Sequence, residues 1–202
     1  MHAPGSEDTE EAILDAARAR IMQVGIRRSS MDDIARRAGV NRVTIYRKFA
    51  NKDSLVEVVL AREVQRLLAE LTAIVTAHEA VEQQIEETVL HVLRQTQEHP
   101  VVVNLLKVAP EEILEFVTVR GERGVTLGIE YIVAVLESAQ AMGLIEKYDP
   151  RPIAEIVARL AHSVLLTPRG GLRFDDEDQA RQFVRAAIVP LVRQGTSSKE
   201  QA

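Results

Sequence analysis

The sequence predicts an all-α protein, with an N-terminal three-helix module followed by a larger helical domain. Apolar residues recur at three- and four-residue spacing along nearly all of the 202 residues, and no stretch alternates convincingly with the period of two that marks a strand. Apolar types make up 46% of the chain, enough to bury a sizeable core in one large domain or two small ones. Three capping residues fall within about twenty positions near the N-terminus, which sets short helices and tight turns there. The run Val101-Val102-Val103 is the only strand-like candidate, and no internal repeat or low-complexity segment interrupts the chain.

The elements follow in order. Residues 1–9 are polar and acidic and read as a disordered tail. A helix over 10–24 carries Ile13, Leu14, Ala17, Ile21 and Val24 on one face, with Gly25 as its C-cap. Ser30 reads as the N-cap of a second helix ending at Ala38-Gly39, and Asp33 completes a box-like pair near the positive end of its dipole. Asn41 caps a third helix over 42–49, and Asn51 a long one from Lys52 to about Thr76. Beyond it, Pro100, Pro110, Pro150, Pro152 and Pro168 mark boundaries. They leave helices over 81–99, 101–107, 111–120, 124–142, 153–166 and 177–192, and a loop around Gly170-Gly171. Pro190 should kink or end the last helix near Ala186. The expected division is a module over 10–52, a body over 53–193 and a polar tail over 194–202.

Composition removes several classes of function. Cysteine is absent, so there is no disulfide, thiol nucleophile or thiolate metal site. No apolar run reaches the roughly 18 to 20 residues a membrane span needs, and the acidic start lacks the regions of a signal peptide, so a cytoplasmic location is expected. The net charge of -5 is unevenly spread. Between Arg18 and Lys52, ten cations (18, 20, 27, 28, 36, 37, 42, 47, 48 and 52) face only Asp32 and Asp33, a local balance of +8 on an otherwise acidic chain.

Within that basic stretch, residues 31–49 have the spacing of two crossed helices. Ile34, Ala38, Val40 and Ile45 suit a shared core, Ala35 allows close approach, and Gly39 suits the positive φ of the turn. The outer face of the second helix then presents Arg42, Val43, Thr44, Tyr46, Arg47 and Lys48, and an α-helix fits the major groove of DNA. Arg42 and Arg47 suit bidentate bonds to guanine, and Val43 suits a thymine methyl. Ser30, Thr44, Tyr46, Lys48 and Lys52 suit phosphate oxygens.

At this point the chain resembles the TetR family of bacterial repressors over about residues 10–60. The resemblance rests on Ile13-Leu14-Asp15-Ala16-Ala17, Ser29-Ser30-Met31-Asp32-Asp33-Ile34-Ala35, Ala38-Gly39-Val40, Thr44-Ile45-Tyr46 with Phe49, and Asn51-Lys52-Asp53 with Leu55. It implies a helix-turn-helix DNA-binding domain, a divergent helical ligand-binding and dimerisation domain, and a homodimer that leaves a palindromic operator when a small molecule binds. Family DNA contacts would map to Ser30, Arg42, Val43, Thr44, Tyr46, Lys48 and Lys52. The chain departs from the pattern at Ile21 and Ile26, where aromatic residues are common, at Val43, where many relatives have a small residue, and at Asp32, where some have a basic one.

The last two expected helices carry apolar stripes, Ile153, Ile156, Val157, Leu160 and Val164 on one, and Ala180, Phe183, Val184, Ala187, Ile188 and Leu191 on the other. The resemblance places a dimer interface there, as a four-helix bundle. By the same resemblance the effector pocket lies within about 60–166, and the long helix from Lys52 serves as its lever. With four Phe, three Tyr and no Trp in the chain, an aliphatic pocket for an apolar or acyl-like molecule is expected. His91, Asn104, Thr118, Tyr131, His162 and Ser163 are candidate orienting groups. Neither a cofactor nor a metal is expected, since the histidines lie on different segments with no carboxylate at ligand spacing. An enzyme is disfavoured, because no serine has a nucleophile-elbow context and Gly121-Glu122-Arg123-Gly124 lacks that of a phosphate loop. A DNA binder without ligand control is the remaining alternative.

Overall fold

A computed structural model of the chain describes residues 6–168 and 170–195. Eleven α-helices cover these residues: α1 (Ser6–Val24), α2 (Met31–Arg37), α3 (Arg42–Lys48), α4 (Lys52–Ala77), α5 (Val81–Glu98), α6 (Pro100–Val108), α7 (Pro110–Thr118), α8 (Glu122–Ala141), α9 (Pro150–Leu166), α10 (Glu177–Phe183) and α11 (Val189–Gln194). No β-strand forms among them, and Val101, Val102 and Val103 are helical, in α6. None of the described helices is long and apolar enough to cross a membrane.

Local chemistry accounts for where the helices begin. Ser30 Oγ accepts from Asp33 N at 3.2 Å, and Asn41 Oδ1 from Thr44 N at 2.8 Å. At α4 the cap is reciprocal: Asn51 Oδ1 accepts from Ser54 N at 2.9 Å while Ser54 Oγ accepts from Asn51 N at 3.3 Å. The prolines at 100, 110 and 150 are the first residues of α6, α7 and α9, where a missing N–H costs nothing. Helix α1 starts at Ser6, so part of the expected 1–9 tail is helical; residues 1–5 and 196–202 of the expected tails lie outside the described residues.

The chain divides into two compact units, and the division differs from the one expected. The first comprises Met1–Arg66 together with Pro100–Phe116, and the second Leu67–His99 with Val117–Ala202. In the first unit α1 packs on α2 and on α6. Its buried residues include Ile13, Leu14, Ala17 and Ile21 from α1, Ile34 and Ala35 from α2, Ile45 from α3, Leu55 and Val59 from α4, and Leu105 from α6. The α1–α2 turn is clasped from the far segment, because Glu112 of α7 accepts hydrogen bonds from the backbone N–H groups of Ile26 and Arg27.

In the second unit α8 packs on α9, and α5 packs on α9, α10 and α11. Its core joins Leu90, Leu93, Leu136, Ile145, Ile153, Val164, Ala180, Val184, Ile188 and Val192. Four residues expected at a dimer interface, Ile153, Val164, Val184 and Ile188, are therefore enclosed by the chain's own core. The inner half of that stripe is spent on folding. The expected single helix over 177–192 is also corrected. It widens into a π-helical turn over Val184–Ile188 and resumes as α11, with Pro190 in the first turn. Proline has no N–H to donate and its ring crowds the carbonyl four residues back, here Ala186; one extra residue in the turn relieves both problems without ending the helix.

Candidate nucleic-acid interface

The turn between α2 and α3 fixes the candidate surface. Gly39 takes φ +70°, the left-handed region that a side chain enters only at a cost, and Val40 N donates to Ala35 O at 3.0 Å across the turn. Ile34 and Ile45 are fully buried and Phe49 nearly so, which pins one face of α3 inward. The opposite face follows from the helical period. Val43 is 74% exposed and Tyr46 41%, with Arg42 and Arg47 beside them, also exposed. An apolar residue so exposed, flanked by two arginines and a phenol, has the donor and methyl-contact chemistry of base reading.

The structure separates the eight candidate contacts. Arg42, Val43, Tyr46 and Arg47 share the outward face of α3, and Thr44 is partly buried at its edge. Ser30 is exposed at the start of α2; its oxygen is engaged by Asp33 N, leaving the O–H to donate. Lys52 Nζ donates to Arg27 O at 3.1 Å, which sets the ammonium beside the α1–α2 turn with two further N–H groups to offer. Lys48 differs. Its side chain is only 19% exposed and its ammonium lies 3.0 Å from Glu10 Oε2, so here it fastens α3 to α1.

The basic balance of the module is also more internally compensated than its sequence suggests. Asp33 forms ion pairs with Arg20 at 2.6 Å and Arg37 at 3.3 Å, and a closer one with Arg36. Burial pushes the Asp33 carboxyl up, but the Arg36 hydrogen bond, the Arg20 charge and Arg37 outweigh it and hold the pKa below its ordinary value. Arg18 pairs with the buried Glu63 at 2.9 Å. Arg42 pairs with Asp32 at 3.2 Å, a contact that sequence reasoning missed although it noted Asp32 as unusual. No periodicity signals a pair ten residues apart across a turn.

The candidate ligand residues divide between the two units, and several already have partners within the chain. Asn104 lies in the first unit, where its amide donates to Pro100 O at 2.8 Å, within its own helix. The other five lie in the second unit. There His91 Nε2 meets Glu70 Oε2 at 2.8 Å, Tyr131 Oη meets Thr72 Oγ1 at 3.0 Å, and His162 Nε2 donates to Val117 O at 2.7 Å. Thr118 and Ser163 are exposed. Among the described residues no group of three or more His, Asp or Glu is arranged to hold a metal ion.

Lys52 supplies a first test. Lys52→Ala should weaken binding to all DNA sequences about equally and lower the slope of log K against log salt by about 0.9, one phosphate's worth. Titrations at several salt concentrations measure the slope, and an unchanged one would remove Lys52 from the phosphate set.

Comparison with known proteins agrees with this geometry. Residues 13–59 match the family described as bacterial regulatory proteins, tetR family. An HTH-type transcriptional regulator of Mycobacterium bovis is 28% identical over 158 residues, 78% of this chain and 80% of that protein. The TetR-family repressor AlkX of a Dietzia strain, implicated in biodegradation of n-alkanes, superposes with a TM-score of 0.67 at 21% identity, covering 91% of this chain and 94% of that one. The regulator FadR of Bacillus subtilis, solved with stearoyl-CoA, superposes with a TM-score of 0.55 at 16% identity, covering 93% and 99%. At these identities the two structures establish the shared fold.

Proposed function

We propose that this chain, which belongs to the TetR family of bacterial regulatory proteins, is a ligand-responsive homodimeric repressor that binds a palindromic operator and has no catalytic activity. The observation that carries the reading is the outward face of α3, where Arg42, Val43, Tyr46 and Arg47 project together from a helix anchored by Ile45. Arg42 and Arg47 would read guanine, Val43 a thymine methyl, and Ser30, Thr44, Tyr46 and Lys52 would hold phosphates.

Dimerisation would use what the second unit leaves exposed or only half-buried. Ile156 is 46% exposed and Ala187 exposed, while Val157, Leu160, Phe183 and Leu191 are half-buried. Pairing these faces about a two-fold axis would place two α3 helices on half-sites roughly 34 to 36 Å apart, one turn of B-DNA. The effector would be apolar or acyl-like, lodged in the second unit. Its scarcity of aromatic residues supports that class, as do the n-alkane and stearoyl-CoA associations of the two similar structures. Release requires only that the effector prefer a conformation whose half-site spacing no longer fits.

Selection from a random duplex library tests the DNA half of the proposal: enrichment of an approximate palindrome supports it, and no enrichment overturns it. On the selected duplex, Arg42→Ala should cost about 1 to 3 kcal/mol and relax the preference at one position per half-site. A loss spread evenly over unrelated DNA would make Arg42 a phosphate contact instead. Displacement by medium- or long-chain acyl-CoA or n-alkanes in fluorescence anisotropy tests the effector class.

A further inference from the structure

Asp32 is out of place on a surface that meets phosphates. It is exposed, it stands in the first turn of α2, and the N-cap box there is already completed by Asp33. A carboxylate in this position complements the positive end of the α2 dipole, but it repels DNA of every sequence. The structure gives it a second contact. Arg42 Nη1 donates to Asp32 Oδ2 at 3.2 Å, and Arg42 Cζ lies 5.4 Å from the centroid of the Tyr46 ring. The guanidinium is thus held from two helices, by a charge-assisted hydrogen bond from α2 and by a cation–π contact one turn further along α3.

We infer that Asp32 is a positioning residue for base reading, acting through Arg42. This rests on the proposed DNA-reading role of α3. A guanidinium has five N–H donors in a rigid planar fork. One bond to Asp32, with the Tyr46 ring beside it, restricts the plane and leaves enough donors for both acceptors on a guanine edge. Fixing a long side chain before binding removes part of the ordering cost that each new complex would otherwise bear. The gain is realised only at a base offering two acceptors, whereas the repulsion of the carboxylate acts on all DNA alike. Asp32 therefore raises selectivity while lowering general affinity. An ordinary surface ion pair does neither, and a purely structural role moves all binding in one direction.

The test uses the full chain and the selected duplex, with single-base variants at every half-site position and a scrambled control, at two salt concentrations. Asp32→Ala should reduce discrimination at the position read by Arg42 by about 3- to 10-fold, part of the roughly 5- to 150-fold carried by a good bidentate pair. Affinity for the scrambled duplex should hold or rise by about 2- to 3-fold, with a steeper salt dependence. In the Arg42→Ala background, adding Asp32→Ala should remove no further discrimination at that position, since the two substitutions break one interaction. The melting temperature should stay within about 2 °C of wild type, as for other surface changes. Unchanged discrimination in Asp32→Ala would overturn the inference, as would a further loss in the double variant, which would mean that Asp32 reads a base itself. A wild-type chain that enriches no sequence would be a different failure, because it would remove the DNA-reading role and the inference together.

Discussion

Gly25→Ala should destabilise the first unit by about 2 to 5 kcal/mol, a large share of the stability of an ordinary domain. Gly25 has φ +87°, where a side chain alone costs about 1 to 2 kcal/mol. A Cβ there would also lie 2.7 Å from Cβ of Ala109 and 3.2 Å from the Glu112 carboxylate, and such overpacking adds about 1 to 3 kcal/mol. Two controls divide these effects. Gly39→Ala has the same backbone problem, at φ +70°, but a Cβ there meets nothing within 4 Å, so only the first cost should appear. Ala109→Gly placed on Gly25→Ala should recover the part of the second cost that comes from Ala109, leaving the first cost and the tight approach of Glu112. Urea unfolding followed by circular dichroism measures all three. Equal losses at Gly25 and Gly39 would show that the approach to Ala109 does not constrain the fold. The turn also carries the Arg27 carbonyl that receives Lys52, so Gly25→Ala should lose DNA affinity in parallel.

That close approach is a useful measure of what the sequence could show. Gly25 was legible as a cap, because caps, turns and helical periods are local patterns within a few residues. For the same reason Ser30, Asn41 and Asn51 marked three helix starts correctly, and residues 31–49 revealed both the inward and the outward face of α3. The neighbour that makes Gly25 indispensable lies 84 positions away, at the corner between α6 and α7. No local pattern announces that Pro100–Phe116 packs with the N-terminal helices, so a division at residue 52 followed naturally from composition. Lys48 illustrates the same limit in the interface, since its charge suited phosphate while its partner, Glu10, was invisible until the helices were assembled. The apolar stripes of α9 and of the segment from α10 to α11 are a different case. Periodicity finds the face that avoids water, but a residue that will meet its own core and one that will meet another chain have the same chemistry. Only burial separates Val184 from Ala187.

The anchoring of α10 on α5 leads to the second large effect. Glu86 of α5 is 5% exposed, and its carboxylate accepts from Arg185 Nε at 2.7 Å and from Arg181 Nη1. Arg181 also reaches Glu87 of α5 and Glu177 of its own helix, each at 2.8 Å, so one guanidinium joins α10 to α5 through two carboxylates and is steadied by a third on α10. Arg181→Ala should cost about 3 kcal/mol, the low end for breaking a buried pair, because Arg185 still faces Glu86. The Arg185 hydrogen bond, with help from Arg181, holds the Glu86 pKa below its ordinary value of 4.5 against the opposing effect of burial. A carboxyl with a depressed folded-state pKa stabilises the fold fully above the unfolded value, and this contribution is lost as the pH falls through the folded one. Wild-type stability should therefore decline below about pH 4.5, and Glu86→Gln, though less stable at pH 7, should show a shallower decline there, by up to about 1.4 kcal/mol per pH unit. Urea melts between pH 3 and pH 7 give both curves; parallel curves would mean that Glu86 is not ionised and paired in the folded state. The same ties hold the segment carrying Phe183, Ala187 and Leu191, so under the proposed dimer Arg181→Ala should also raise the dimer dissociation constant in sedimentation. If dimerisation survives a loss of the predicted size in stability, the pairing face lies elsewhere than on α9 and the segment from α10 to α11.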